Sequence, residues 1–343
     1  MSLATAWAIF IVAAIVIAVV GSRLTTIADR LADRTGWGEA IVGATLLGAA
    51  TSLPGITASV TAAWDGKAQL ALSNAIGGIA AQTAFLAIAD LVYRKANLEH
   101  AATSVPNMMQ ASLLVFLLTM MIFTIATPPF AFFGVHPVTP LLFLTYIGGL
   151  KAVQLSKENP MWKPMQTDRT HSDEPDEQET PASDDWKLWC QFAVFALLTM
   201  VAGYAVTKAV STMLAHYDWL GESAAGAFMT AVATSLPELV TSIAAVRRGA
   251  LQLAVGGIIG GNCFDTLFAA VADIFYRDGS IFHAATAANT GQIDREMTLI
   301  ASAIAMTTLL LAGLLFRQRK GIGFESIGVI LVYVLMAVTT SWV

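Results

Sequence analysis

Long apolar runs separated by short polar turns set the pattern of this chain. About 20 consecutive apolar residues cross the hydrocarbon core of a bilayer as a helix. On that measure ten segments qualify, at roughly 5–22, 38–64, 67–93, 106–127, 130–153, 187–210, 222–247, 250–276, 296–316 and 322–342. The fifth carries Pro137 and Pro140 in its first half, which predicts a kink or a re-entrant start. One polar stretch interrupts the series, at about 156–186, with Asp168, Asp173, Glu174, Asp176, Glu177, Glu179, Asp184 and Asp185 among Pro and Ser. Such a stretch cannot bury enough apolar surface to fold alone. It reads as a solvated linker between a first five-helix unit, 1–155, and a second, 187–343. A cation-sensing role for it finds no ordered calcium-loop spacing.

Composition agrees with the pattern. The 343 residues are 56% hydrophobic and 13% charged, against about 25% charged in soluble domains. The expected fold is therefore an all-α integral membrane protein. The net charge of -5 comes from the acidic stretch, and no basic surface suggests nucleic acid. Cys190 and Cys263 are too few for a disulfide framework. The leading run from Ala4 to Gly21 lacks a basic start, so it reads as a first span and not a cleaved signal. Lysine and arginine set the expected orientation. With the N-terminus outside, 15 of them fall in inner loops and four, Lys67, Lys208, Arg277 and Arg295, fall outside. Both termini then face out of a plasma (inner) membrane and the acidic linker faces the cytoplasm. No Ser/His/Asp arrangement, histidine pair or phosphate loop points to an enzyme, and no cofactor is expected.

A shift of 183 residues aligns Gly38–Arg94 with Gly221–Arg277 without a gap, and 25 of the 57 positions are identical. The matches include Gly38-Glu39 with Gly221-Glu222, Thr51 to Pro54 with Thr234 to Pro237, and Asp90 with Asp273. Five spans separate the copies. Five is odd, so the copies insert in opposite directions, the inverted-repeat plan of secondary transporters.

The two Thr-Ser-Leu-Pro phrases sit mid-span in helices two and seven, where proline frees a carbonyl about a turn earlier. Thr51, Ser52, Thr234 and Ser235 add hydroxyl oxygens, and the second phrase continues to Glu238 where the first has Gly55. An acid at bilayer depth needs a cavity or a cation. Hard cations take oxygen ligands of these kinds. In helix eight Asn262 and Asp265 share a face, and Gln82 holds the place of Asp265 in helix three. One two-fold site with an amide on one side and a carboxylate on the other is the expectation. The glycines of helices three and eight read as packing positions, Cys263 as a packing cysteine and His136 as a helix-start residue. For Asp90 and Asp273, at helix ends, a structural role is expected.

These residues resemble the calcium/cation antiporter superfamily, the sodium/calcium and proton/calcium exchangers. Its two alpha-repeats carry a Gly-Thr-Ser-Leu-Pro-Glu phrase on one broken helix and a Gly-Ser-Asn phrase on the next. The resemblance implies a sodium/calcium exchanger-like fold of two inverted five-helix repeats. It implies Glu238 and Asp265 as acidic ligands, with Asn262, Gln82, Thr51, Ser52, Thr234 and Ser235 as supporting oxygens. It also implies inorganic cations and membrane lipid as partners. The departures are Gly55 for the first glutamate, Ile79 for the first asparagine, and Gly78 and Gly261 for the serines. The implied function is antiport of calcium against sodium or protons by alternating access. A monovalent or other-divalent cation/proton antiporter is the first alternative, and a non-transporting structural or partner-binding relative the second.

Overall fold

The computed structural model describes residues 1–35, 44–92, 97–158, 160–161, 185–248, 251–287, 294–316 and 323–342. The acidic stretch of the linker, the Gly38-Glu39 start of the first repeat copy and Tyr93-Arg94 lie outside the described residues. Within them the protein is helical, with one isolated bridge between Phe132 and Val135. The first half holds α1 (Leu3–Thr35), α2 (Ala44–Trp64), α3 (Ala68–Val92), α4 (Leu98–Ala101), α5 (Val105–Ala126) and α6 (Val138–Glu158). The second holds α7 (Asp185–Leu214), α8 (Glu222–Ala224), a π-helical turn (Ala225–Thr230), α9 (Ala231–Thr234) and α10 (Leu236–Arg248). It continues with α11 (Leu251–Phe275), α12 (Ile281–Ala287), α13 (Arg295–Leu315) and α14 (Phe324–Trp342).

Eight described helices are long and apolar enough to cross a membrane, and nine when the bent pair Glu222–Thr234 and Leu236–Arg247 counts as one. The tenth predicted span is α2, with 21 residues. Its Thr51, Ser52, Gly55, Thr57, Ser59 and Thr61 dilute its apolarity because it faces protein more than lipid. The inversion of the repeats is visible in the packing. Trp7 near the start of α1 donates to the Tyr217 hydroxyl just past the end of α7, at 3.3 Å. The two counterpart helices therefore run antiparallel along each other.

Two expectations are corrected. Helices two and seven were both to be broken, yet α2 runs through Pro54 as one helix and only the second copy breaks, with a 49° bend at Ser235. The second phrase, unlike the first, follows a π-helical turn at Ala225–Thr230. The fifth span neither kinks nor re-enters. Residues 128–137 form a connecting turn, with Phe133 at φ 52 and Gly134 at φ 81. Pro137 precedes α6 and Pro140 falls in its first turn, where the missing N–H costs nothing. The first span, expected at about 5–22, is the apolar part Leu3–Leu24 of a helix that continues to Thr35.

Two short helices extend the duplication beyond the sequence match. Asp90 Oδ1 accepts from Leu98 N at 2.8 Å, and Asp273 Oδ1 accepts from Ile281 N at 2.9 Å. Leu98 and Ile281 are again 183 apart and open α4 and α12. Asp90 also accepts from Ser326 Oγ, and Asp273 from His136 N and Thr139 Oγ1. Each aspartate thus caps a re-turning segment.

In lipid, helices associate through close van der Waals packing at small residues. The α3 helix is buried along almost its whole length and crosses the π turn at contact distance. A Cβ added to Gly77 would lie 2.4 Å from Ala227 Cα. Glycine costs about 1 kcal/mol relative to alanine in a helix. Gly148 in α6 has nothing within 4 Å of such a Cβ. Gly148→Ala is therefore expected to raise the thermal unfolding midpoint of the solubilised protein. Gly77→Ala is expected to lower it, overpacking costing about 1–3 kcal/mol.

Candidate functional site

The expected ligands converge where α2, α3, α10 and α11 meet, and they do so along the repeat symmetry. Ser52 Oγ donates to Asp265 Oδ1 at 2.7 Å. Its repeat mate Ser235 accepts from Gln82 Nε2 at 3.3 Å, and Gln82 is the repeat mate of Asp265. On the pseudo-two-fold axis itself, Gln82 Nε2 donates to Asp265 Oδ2 at 2.7 Å, two residues 183 apart bonded to each other. All four are buried. The amide-on-one-side, carboxylate-on-the-other arrangement is thus a contact as well as an alignment.

Glu238 sits in the first turn of α10, just after the break, and is 8% exposed. The Thr51 hydroxyl hydrogen-bonds its carboxylate, which also feels the charge of Asp265. Thr234, the mate of Thr51, behaves differently. Its hydroxyl donates back to Thr230 O and Ala231 O of its own helix, at 3.0 and 3.2 Å. Thr51 has an acid to meet; across the two-fold, Thr234 would meet position 55, which is glycine.

Asn262 is oriented by a hydroxyl. Thr83 Oγ1 donates to Ile79 O at 2.7 Å, so toward Asn262 it can only accept, and Asn262 Nδ2 donates to it at 3.0 Å. That leaves Asn262 Oδ1 with no donor. Gln82 Oε1 and Glu238 Oε2 are in the same condition. Three buried oxygens from three helices, one of them on the Glu238 carboxylate itself, have no hydrogen-bond partner. Buried polar atoms are rarely left in this state. Oxygens of this kind are what a hard cation takes as ligands, calcium taking 6–8 of them.

The neutral half of the site is shaped by an aromatic ring. A Cβ added to Gly55 would lie 2.5 Å from Phe268 Cε2 and 3.1 Å from its Cζ. The Phe268 ring is buried and packs edge-on against Phe264. Where the second copy offers an acid, the first therefore offers no room for one.

Asn74, Phe268 and Thr83 are parts that sequence reasoning missed. Asn74 Nδ2 donates to Gly55 O at 3.1 Å and to Ser59 Oγ at 2.8 Å, holding the neutral phrase from beneath. A signal existed for it: Asn74, Gly78 and Gln82 follow one another at four-residue steps, so they share one face of α3. The glycines also divide in a way not expected. Gly77 packs against a backbone, while a Cβ on Gly78 or Gly261 would point at site atoms, 3.6 Å from Ser235 Oγ and 3.7 Å from Gln82 Oε1. Cys263 is buried with Sγ on Gln110 O, and His136 Nδ1 accepts from Val138 N at the start of α6. Neither joins the site.

Gln82→Leu removes the central bridge without altering charge. It is expected to leave the fold intact and to weaken cation binding by about 10–100-fold, the usual cost of losing a group that orients a ligand. Isothermal titration with calcium checks it.

Comparison with known proteins places this geometry. The sequence model of the family described as sodium/calcium exchanger protein matches residues 5–148 and 187–342. The chain is 27% identical over 261 residues to the inner membrane protein YrbG of Escherichia coli (strain K12), covering 76% of each. The crystal structure of an H+/Ca2+ exchanger, CAX, superposes with a TM-score of 0.64 at 12% identity, covering 98% of this chain and 86% of that one. The sodium-calcium exchanger NCX_Mj superposes with a TM-score of 0.56 at 18% identity, covering 97% and 98%. At such identities the structural likeness speaks for the fold alone.

Proposed function

The chain belongs to the sodium/calcium exchanger protein family of cation antiporters, and from that premise we propose that it exchanges calcium for sodium or protons across the membrane. Transport proceeds by alternating access. The two inverted repeats expose one midplane site to each side in turn, driven by the gradient of the counter-ion. The reading is carried by the three partnerless oxygens, Glu238 Oε2, Asn262 Oδ1 and Gln82 Oε1, on helices that also bring Asp265 to Gln82. Glu238 and Asp265 neutralise one divalent ion, Thr51, Ser52, Thr234 and Ser235 contribute hydroxyl oxygens, and the amides complete the shell. Orientation follows the basic residues, with termini outside and the acidic linker cytoplasmic.

Phe268 against Gly55 favours a second reading beside the first. A site with two carboxylates and no room for a third also suits a single monovalent ion, or another divalent ion, exchanged for protons. The convergence of unpartnered buried oxygens argues against a non-transporting relative.

The test is gradient-driven flux in liposomes containing the purified protein. Calcium uptake against an imposed outward sodium or proton gradient is expected. Uptake of sodium and never of calcium selects the second reading. No flux of any cation under any gradient removes the transporter reading.

A further inference from the structure

A second group of buried acids lies away from the central site, at the end of α3. Asp90 is eight residues beyond Gln82, about 12 Å along the helix at about 1.5 Å per residue. Glu99 of α4 and Glu325 at the start of α14 lie beside it, and all three are at most 3% exposed. Asp90 uses both oxygens as acceptors, from Leu98 N and Ser326 Oγ. Glu325 Oε1 accepts from Asn97 Nδ2. Glu99 Oε2 and Glu325 Oε2 have no donor at all, yet the Glu99 and Glu325 side chains meet within hydrogen-bonding range. The Glu325 side chain packs directly against Gly313 and Gly323, where a Cβ on either would collide with it.

Two facing carboxylates repel, and with no donor between them both are left unsatisfied. A single proton satisfies both. Among the described residues the titratable groups around the pair are Asp90 on α3 and His100 on α4, and neither acid makes an ion pair. Among the described residues no group of three or more His, Cys, Asp or Glu side chains could hold a metal ion, these three acids included. We propose that Glu99 and Glu325 form a proton-binding pair outside the transport site, with the proton on Glu99 and donated to the Glu325 carboxylate. The first turn of α14 and the Asn97 amide favour the negative charge on Glu325. The bound proton ties the start of α14 to the short segment between α3 and α5. Its loss places a second negative charge next to Glu325 and Asp90 in a dry pocket and drives those elements apart.

Burial and the charges of Asp90 and Glu325 hold the Glu99 carboxyl well above its ordinary range. The sign of the linkage follows. The stability it contributes is full below the ordinary glutamate range and is lost as pH rises through the raised value.

Infrared spectroscopy of the full-length protein in lipid tests the pair, through the C=O band of protonated carboxyl groups. Difference spectra of the wild type against each variant cancel the central acids. Glu99→Gln and Glu325→Gln are each expected to remove the same band, of one carboxyl's intensity. In either variant the amide takes over the proton's place and the remaining acid stays ionised. The double variant is expected to remove no more than either single one. Glu325→Asp, which keeps the acid, is expected to shift the band without abolishing it. The thermal midpoint is expected to fall with rising pH more steeply in the wild type than in either glutamine variant. An unchanged band in both single variants, or two separate bands lost additively in the double, overturns the proposal. So do calcium-induced shifts in carboxylate bands that vanish in Glu99→Gln, which mark a cation site instead. None of these outcomes depends on transport, so the pair and the proposed function stand or fall separately.

Discussion

Glu238→Gln is expected to abolish gradient-driven cation flux while leaving the protein folded. The amide keeps the size and shape of the side chain and can still meet the Thr51 hydroxyl. What it loses is one of the two charges facing the substrate. Truncating one partner of a buried charge pair costs about 2–5 kcal/mol. At about 1.4 kcal/mol per tenfold, affinity falls by between about 30-fold and a few thousand-fold. Calcium titration of the purified variant and flux in liposomes measure the two effects together. A variant with normal thermal stability, normal calcium affinity and normal flux would remove Glu238 from the site.

The second large effect concerns the neutral half. Restoring the acid by Gly55→Glu alone is expected to fail. The new Cβ falls 2.5 Å from the Phe268 ring, and forcing side-chain volume into a filled core costs about 1–3 kcal/mol. Phe268→Ala alone opens a cavity, at about 3–5 kcal/mol for a buried phenylalanine. Together they relieve each other, because each removes the cause of the other's cost. The double variant is expected to be more stable than the sum of the single effects predicts, by about 0.5–3 kcal/mol. With three carboxylates it is also expected to bind calcium more tightly than the wild type. Gly55→Glu that is stable on its own and gains calcium affinity would show that Phe268 does not close this half. Thermal unfolding of the four proteins with and without calcium reads both quantities.

Much of the site was open to reading before any fold was known, and the residues say why. Ser52, Gln82, Ser235 and Asp265 stand at pairs of positions 183 apart. A duplicated and inverted chain must bring such pairs around one axis. Their cross-repeat bonds follow from that symmetry. Where the copies diverge, pattern was a poorer guide. Identical Thr-Ser-Leu-Pro phrases yield one continuous helix and one broken one, and only the broken one follows a π turn, which no residue type announces. Thr51 and Thr234 share an identity and a register but not a partner, because the acid opposite exists on one side only. Gly78 read as a packing position, yet it borders the site, since only the crossing of α3 with α10 and α11 decides which glycine of a pair meets a backbone.

By itself the sequence determined the membrane class, the duplication and the two acids, since apolar length, gapless repetition and a charge at bilayer depth are properties of the chain. Tertiary structure alone decided which oxygens are left without partners and why the first copy has no acid. Both depend on what stands across the gap. Phe268 occupies the space beside Gly55, and the hydroxyl of Thr83 turns the Asn262 amide so that its oxygen is left free. Glu99 and Glu325 are 226 residues apart with no repeat relation between them. Their meeting comes from the packing of α14 against the turn after α3, which no periodicity encodes.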